Sequence, residues 1–133
     1  TNEILWFSLG SVYDNLNMQD EAVEAYRKSL GIKPDYFDAN YNLGALYFNK
    51  AVQMVNDAND MWKPRMSKDE SAKQKEMEQG GKAMFSTALP YLEKALEMDG
   101  NDRETLRSLR DIYARVGMDE KMLEVSAKLK SME

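Results

Sequence analysis

The chain has 133 residues, 43% of them apolar, and carries 18 basic against 23 acidic residues for a net charge of −5. That is enough apolar material for one continuous core, and the basic residues form no long run able to neutralise a phosphate backbone, which argues against nucleic acid as a partner. Cysteine and histidine are both absent, excluding disulfides, a thiolate or imidazole metal site and the commonest general base, so no cofactor is implied and an enzyme is not expected.

No apolar run approaches the roughly 20 residues of a membrane span. The chain opens at Thr1 without a signal-like segment and is expected to be a mature or excised piece of something longer. Cytoplasm and periplasm both remain open.

Leu5, Trp6, Leu9, Val12, Tyr13 and Leu16 recur at spacings of three and four, which predicts an amphipathic helix over residues 3–16. Asn17 breaks it and, three residues before Asp20, is placed to cap a second helix of about 18–31 with Ala22, Val23, Tyr26 and Leu30 on one face. Pro34 then forces a turn, because it has no amide donor and biases Lys33 away from helical angles. A third helix starts near Tyr36 with Ala39, Tyr41, Leu43, Leu46 and Tyr47, and its apolar stripe runs on through Ala51, Val52, Met54, Val55, Ala58, Met61 and Trp62 to Pro64.

Beyond Pro64, Ser67-x-x-Glu70 has the form of a capping box and opens a polar run of good helix formers. Gly80-Gly81 is expected to interrupt it before Met84, Phe85, Ala88, Leu92, Ala95 and Leu96 restore a buried face. Asp99-Gly100-Asn101-Asp102 is a turn by composition. A fifth helix begins near Arg103 with Leu106, Leu109, Ile112, Tyr113 and Val116 inward, and Gly117 ends it. Asp119 is placed to cap the last, whose apolar face is Met122, Leu123, Val125 and Leu129.

The motif Trp6-x2-Leu9-Gly10-x2-Tyr13, then Ala22-x3-Tyr26 and Pro34, resembles the tetratricopeptide repeat (TPR). A second unit keeps Leu43-Gly44-x2-Tyr47 and Ala88-x3-Leu92, with Asn40 in the tryptophan place and Gly100 in the proline place. The third keeps Leu106-x2-Leu109 and Tyr113, with Arg110 in the glycine place and Met122 in the small-residue place. The resemblance implies an all-α fold: a right-handed α–α superhelix of three helix-turn-helix pairs, about 3–36, 37–102 and 103–133. Gly10 and Ala22 are small because two antiparallel helices approach closely where they cross. Arg110 and Met122 do not permit that approach, so the third pair should splay or shift, as terminal repeats do.

Ala22 follows Tyr13 by nine residues, but Ala88 follows Tyr47 by forty-one. If Gly44 crosses Ala88 as Gly10 crosses Ala22, the antiparallel register places the hairpin tip near Met66, sets Ala51 and Val52 against Gly80 and Gly81, and sets Val55 against Met77. Both helices of the middle pair are then lengthened together into a protruding hairpin of about 52–80, with Pro90 a candidate kink. Met54, Met61 and Trp62 exceed what one seam consumes. They either complete a thin core over lysine stems or form a contact surface for a partner.

The resemblance also implies that the first helix of each unit lines a concave face that holds extended peptides or partner helices. Carried onto this sequence, that lining is Phe7, Ser11, Asp14 and Asn15, then Tyr41, Asn42, Ala45, Phe48 and Asn49, then Arg107, Asp111 and Arg115. Arg107 with Arg115 is placed to meet a carboxylate. Equally, Asn42 can bond a neighbouring repeat, the arginines can be surface charges and Phe48 can be core. One subclass of the family grips the C-terminal carboxylate of chaperones. Asn42 matches one of its asparagines, but Phe7, Ser11, Glu104 and Ser108 occupy the other required places, so that mode is not expected.

The sequence therefore reads as a non-catalytic protein-interaction scaffold, bacterial in style and part of a longer array, since the apolar start Ile4-Leu5-Trp6-Phe7 is unlike a polar end repeat. The alternative is a structural module that self-associates into a homodimer.

Overall fold

In the computed structural model, which describes every residue from Thr1 to Glu133, the apolar stripes fold into six helices and no strand: α1 (Asn2–Asn15), α2 (Gln19–Ile32), α3 (Phe37–Asp60), α4 (Lys68–Met98), α5 (Arg103–Val116) and α6 (Asp119–Ser131). Each helix packs against the next, and α1, α3 and α5 also touch in series. One core runs the length of the stack, from Ala22 and Tyr26 through Leu43, Phe85 and Leu92 to Leu106, Ile112 and Val125. Every buried polar side-chain atom within it has a hydrogen-bond partner. Asn40, standing where the first unit has tryptophan, is buried and donates to the carbonyls of Pro34 (3.0 Å) and Tyr36 (2.9 Å), so its amide ties down the turn between α2 and α3.

The α1–α2 and α5–α6 turns share one construction. Asn17 (φ 60°) and Gly117 (φ 79°) take the left-handed conformation that asparagine and glycine tolerate best. In both turns the following methionine amide reaches back over the turn, Met18 to the Tyr13 carbonyl and Met118 to the Tyr113 carbonyl, each at 2.8 Å. Asn17 thus ends α1 instead of capping α2. The N-caps of α2 and α6 are Met18 and Met118, and neither makes a side-chain cap bond. Asp119, expected as a cap, is instead the first helical residue of α6, where its charge meets the positive end of the helix dipole. Asp102 is a true cap, its Oδ2 accepting from the Thr105 amide (3.0 Å) and hydroxyl (2.6 Å).

Helix crossings depend on glycine, though not opposite alanine. A Cβ on Gly10 would lie 2.6 Å from Tyr26 Cδ1, and one on Gly44 would lie 2.7 Å from Leu92 Cγ. The large residue one turn beyond Ala22 or Ala88 is therefore what occupies the glycine's space. At the same offset from Arg110 stands Ser126, a small residue in the aromatic place. Helix α6 buries only Val125, where α2 buries Ala22, Ala25, Tyr26 and Ser29.

Helices α3 and α4 are 24 and 31 residues long against 14 for α1, or about 36 and 46 Å at 1.5 Å per residue. Helix α3 stops at Asp60, short of Pro64, and the connection from Met61 to Ser67 is the hairpin tip. Helix α4 runs unbroken through Pro90 and through Gly80-Gly81, so the glycine pair does not interrupt it. Their missing side chains make room across the hairpin instead: a Cβ on Gly80 would meet Met54 Cε at 2.7 Å, and one on Gly81 would meet Val55 Cγ2 at 2.8 Å and the Ala51 carbonyl at 3.3 Å. Met54 and Val55, not Val52, share the facing positions with Ala51.

Nearer the tip, Gln74 Nε2 donates to the Ala58 carbonyl (3.0 Å) and Lys63 pairs with Glu70 at 2.8 Å, holding the Glu70 carboxyl below its usual range. Ser67 Oγ accepts from the Glu70 amide at 3.1 Å. Ser67→Ala should cost about 1 kcal/mol locally, read as faster hydrogen exchange at the amides of the first α4 turn with the exchange of α5 unchanged.

Tyr113 sits where α4, α5 and α6 meet, 4% exposed. Burial, with the charges of Glu93 and Glu124 adding to it, pushes its hydroxyl up to about 12 from an ordinary 10.0. The neutral phenol is thus favoured by folding. Its contribution is complete below pH 10 and is lost as pH rises through the folded value near 12, by roughly 2–3 kcal/mol at most. Urea titrations at about pH 9 and about pH 12 should show the alkaline loss, and Tyr113→Phe should shrink it. Tyr26 and Tyr41, also raised mainly by burial, retain the remainder.

Candidate protein-binding face

The residues expected to line a binding face fall on α1, α3 and α5, and the structure gathers most of them at the seams between those helices. At the first seam the hub is Tyr26. Its hydroxyl donates to Asp14 Oδ2 and accepts from Asn42 Nδ2, both at 3.4 Å, so one buried tyrosine of α2 brings together a residue of α1 and a residue of α3. Burial raises the Tyr26 hydroxyl above its usual range, the Ser11 and Asn42 hydrogen bonds oppose this, and the Asp14 charge adds to it. Phe7 packs between the rings of Tyr26 and Tyr36, with centroids 5.9 and 5.4 Å away, and so serves largely as packing.

At the second seam Phe48 meets buried Phe85 edge to face at 5.5 Å, and the Arg115 guanidinium lies 5.0 Å from the centre of the same Phe85 ring. This is a cation–π stack built from α3, α4 and α5. Arg115, Lys82 and Ser86 border an open cleft beside it. Tyr41 stacks on Phe37 at 6.0 Å, and the charges of Glu104 and Asp102 help burial raise its hydroxyl, which puts it beside the start of α5.

Asn15 and Asn49 are exposed. Arg107 pairs with Glu104 at 2.9 Å and borders a cavity with Arg103 and Arg110, whereas Arg115 lies against Phe85. Sequence reasoning missed Tyr26 and Phe85 as the organisers of this face. Both stood in buried stripes, but nothing in a linear pattern shows that one buried hydroxyl or ring will be shared by three helices.

On the long hairpin, Met54 and Met61 join Met77, Gly80, Lys73 and Glu76 around a cleft of about 560 Å³. Trp62 lies apart from it, beyond the end of α3 and 66% exposed, too open to be a core residue.

Residues 10–50 match the TPR repeat family. Over nearly the whole chain (98%), the backbone superposes on a solved structure titled IFIT1 monomeric mutant with Gppp-AAAA, with a TM-score of 0.74 at 20% identity and 26% of that chain covered. The fold is a TPR-type helical repeat. Two further similarities lie with the peroxisomal targeting signal receptors of Candida albicans (48% identity over 46 residues) and Kluyveromyces lactis (40% over 48 residues). These cover 35% and 36% of this chain, and in each case the chain spans only 8% of the relative's length. The TPR match contains Asp14, Asn15, Tyr41, Asn42, Phe48 and Asn49, and so covers most of the candidate face. No helix is long and apolar enough to cross a membrane.

Proposed function

We propose that this protein is a non-catalytic scaffold that binds a protein or peptide along the face shared by α1, α3 and α5. The observation that carries this reading is the coincidence of the TPR match over residues 10–50 with the face bearing Asp14, Asn15, Asn42 and Asn49. The exposed Asn15 and Asn49 amides can each offer both donor and acceptor to an extended backbone. The curated relatives, named as receptors for a targeting signal, are also recognition proteins. The bacterial style rests on the sequence pattern alone.

Asn15 and Asn49 are exposed, so Asn15→Arg with Asn49→Arg should leave the fold intact while obstructing the face. Partners recovered from a lysate by the wild type and equally by this double variant would sink the reading.

We read the long α3–α4 pair as one repeat whose two helices have been lengthened together, with repeats of about 3–36, 37–102 and 103–133 and a hairpin of about 52–80. Met54, Met61 and Trp62 make the hairpin a second candidate contact. Ala51 and Gly81 face each other, so a short turn can replace residues 52–80. If the shortened protein recovers the same partners as the intact one, the hairpin is not the recognition element.

Self-association is the second reading, favoured by one observation: α1 leaves Leu5 68%, Leu16 63% and Val12 53% exposed. An unpartnered apolar helix face of this kind marks an interaction surface. Light scattering over a wide concentration range decides it, since a monomer at every concentration rules out the dimer.

A further inference from the structure

We propose that the cavity bordered by Arg103, Arg107 and Arg110 between α5 and the end of α6 binds a single oxyanion group, a carboxylate or a phosphate carried by a peptide partner. The chain is acidic, yet four of its six arginines lie in α5. Three of these, spaced by four and then three residues, share one side of the helix and line a cavity of about 130 Å³ with Leu129 and Glu133. A space of this size is large enough for one oxyanion group.

Existing partners leave much of the donor capacity unused. Arg103 Nη2 donates to the Met132 carbonyl at 2.6 Å, a neutral acceptor that fixes the guanidinium without neutralising it. Arg107 Nη1 pairs with Glu104 at 2.9 Å, and Arg110 Nε reaches Asp111 only at 3.9 Å. Each guanidinium offers five N–H donors in a planar fork, so several remain for bidentate contact with an incoming oxyanion. Glu133 borders the cavity without forming an ion pair with any of the three. Arg110 also occupies the place that glycine fills in the other two pairs, where the repeat's own packing has no use for a cation. Neither Asn15 nor Asn49 borders this cavity, so the two proposals are tested by different variants.

The test follows the arginine side-chain N–H resonances of the labelled full chain while inorganic phosphate, and in parallel acetate, is titrated at constant ionic strength. Saturable shifts are expected at Arg103, Arg107 and Arg110, with Arg27, Arg65 and Arg115 still. Arg110→Gln should weaken binding at least about tenfold without changing helicity, and Arg103→Gln, on an exposed side chain, provides an independent second variant. Saturation by phosphate alone assigns a phosphorylated ligand, whereas saturation by both assigns carboxylates as well. Linear shifts at all six arginines, or saturable shifts indifferent to both variants, would overturn the proposal.

Discussion

Phe85→Ala is expected to lower the unfolding free energy by about 3–5 kcal/mol, the usual cost of deleting a buried aromatic ring. Phe85 is 1% exposed and is the one ring against which α3 presents Phe48 and α5 presents Arg115. Removing it leaves a cavity that three helices would have to shift together to close, and a guanidinium that loses its π face. Urea denaturation should show a lower midpoint with little change in slope. Phe85→Leu, which keeps most of the volume, should cost markedly less. A loss under about 1 kcal/mol for the alanine variant would mean that the α3–α4–α5 junction is not packed as described.

The second large effect concerns Tyr26 and its seat over Gly10. Tyr26→Ala should also cost about 3–5 kcal/mol, since the residue is fully buried and its hydroxyl joins Asp14 to Asn42. Gly10→Ala alone should destabilise by about 1–3 kcal/mol, because its Cβ would sit 2.6 Å from the Tyr26 ring. In the Tyr26→Ala background the obstruction is gone. The same Gly10→Ala change should then be neutral or stabilising by about 0.5–1 kcal/mol, the helix-propensity gain of alanine over glycine. This reversal of sign in a double-mutant cycle is the diagnostic outcome, and additive effects would refute the contact. Tyr26→Phe isolates the hydroxyl: its effect on fold should be small, while any partner held near Asp14 and Asn42 should report their loss of a common anchor.

Helix number and order were legible because the stripes repeat at three and four and are punctuated by breaks at Asn17, Pro34 and Gly117. Pro34 cannot continue a helix, and Asn17 and Gly117 tolerate left-handed backbone. The offset between Tyr47 and Ala88 was enough to place the hairpin tip between Met61 and Ser67. Caps were less legible. Asn17 and Asp119 have the side chains of N-caps, but the backbone uses Asn17 to end a helix and places Asp119 inside one, because each turn is closed by a left-handed residue and a return bond from Met18 or Met118. Gly80-Gly81 reads locally as a break and is not one. Helix α3 supplies Met54 and Val55 to the space the glycines leave, and that packing outweighs their poor propensity.

The candidate face divides the same way. The resemblance to the repeat is what named Asp14, Asn42, Phe48 and Arg115 as its lining. It could not name their chemical state. Asn42 is drawn to Tyr26 and Arg115 to Phe85, while Arg107 pairs with Glu104.

By itself the sequence determined the all-α repeat fold, the long middle pair and the absence of thiol and imidazole chemistry, because these depend on local periodicity, spacing and composition. Only the tertiary structure decided which large side chain fills each glycine's space, which buried ring or hydroxyl three helices share, and which arginines keep free donors. Those depend on contacts between residues far apart in the chain, where a side chain's role is set by what stands opposite it and not by its neighbours in sequence.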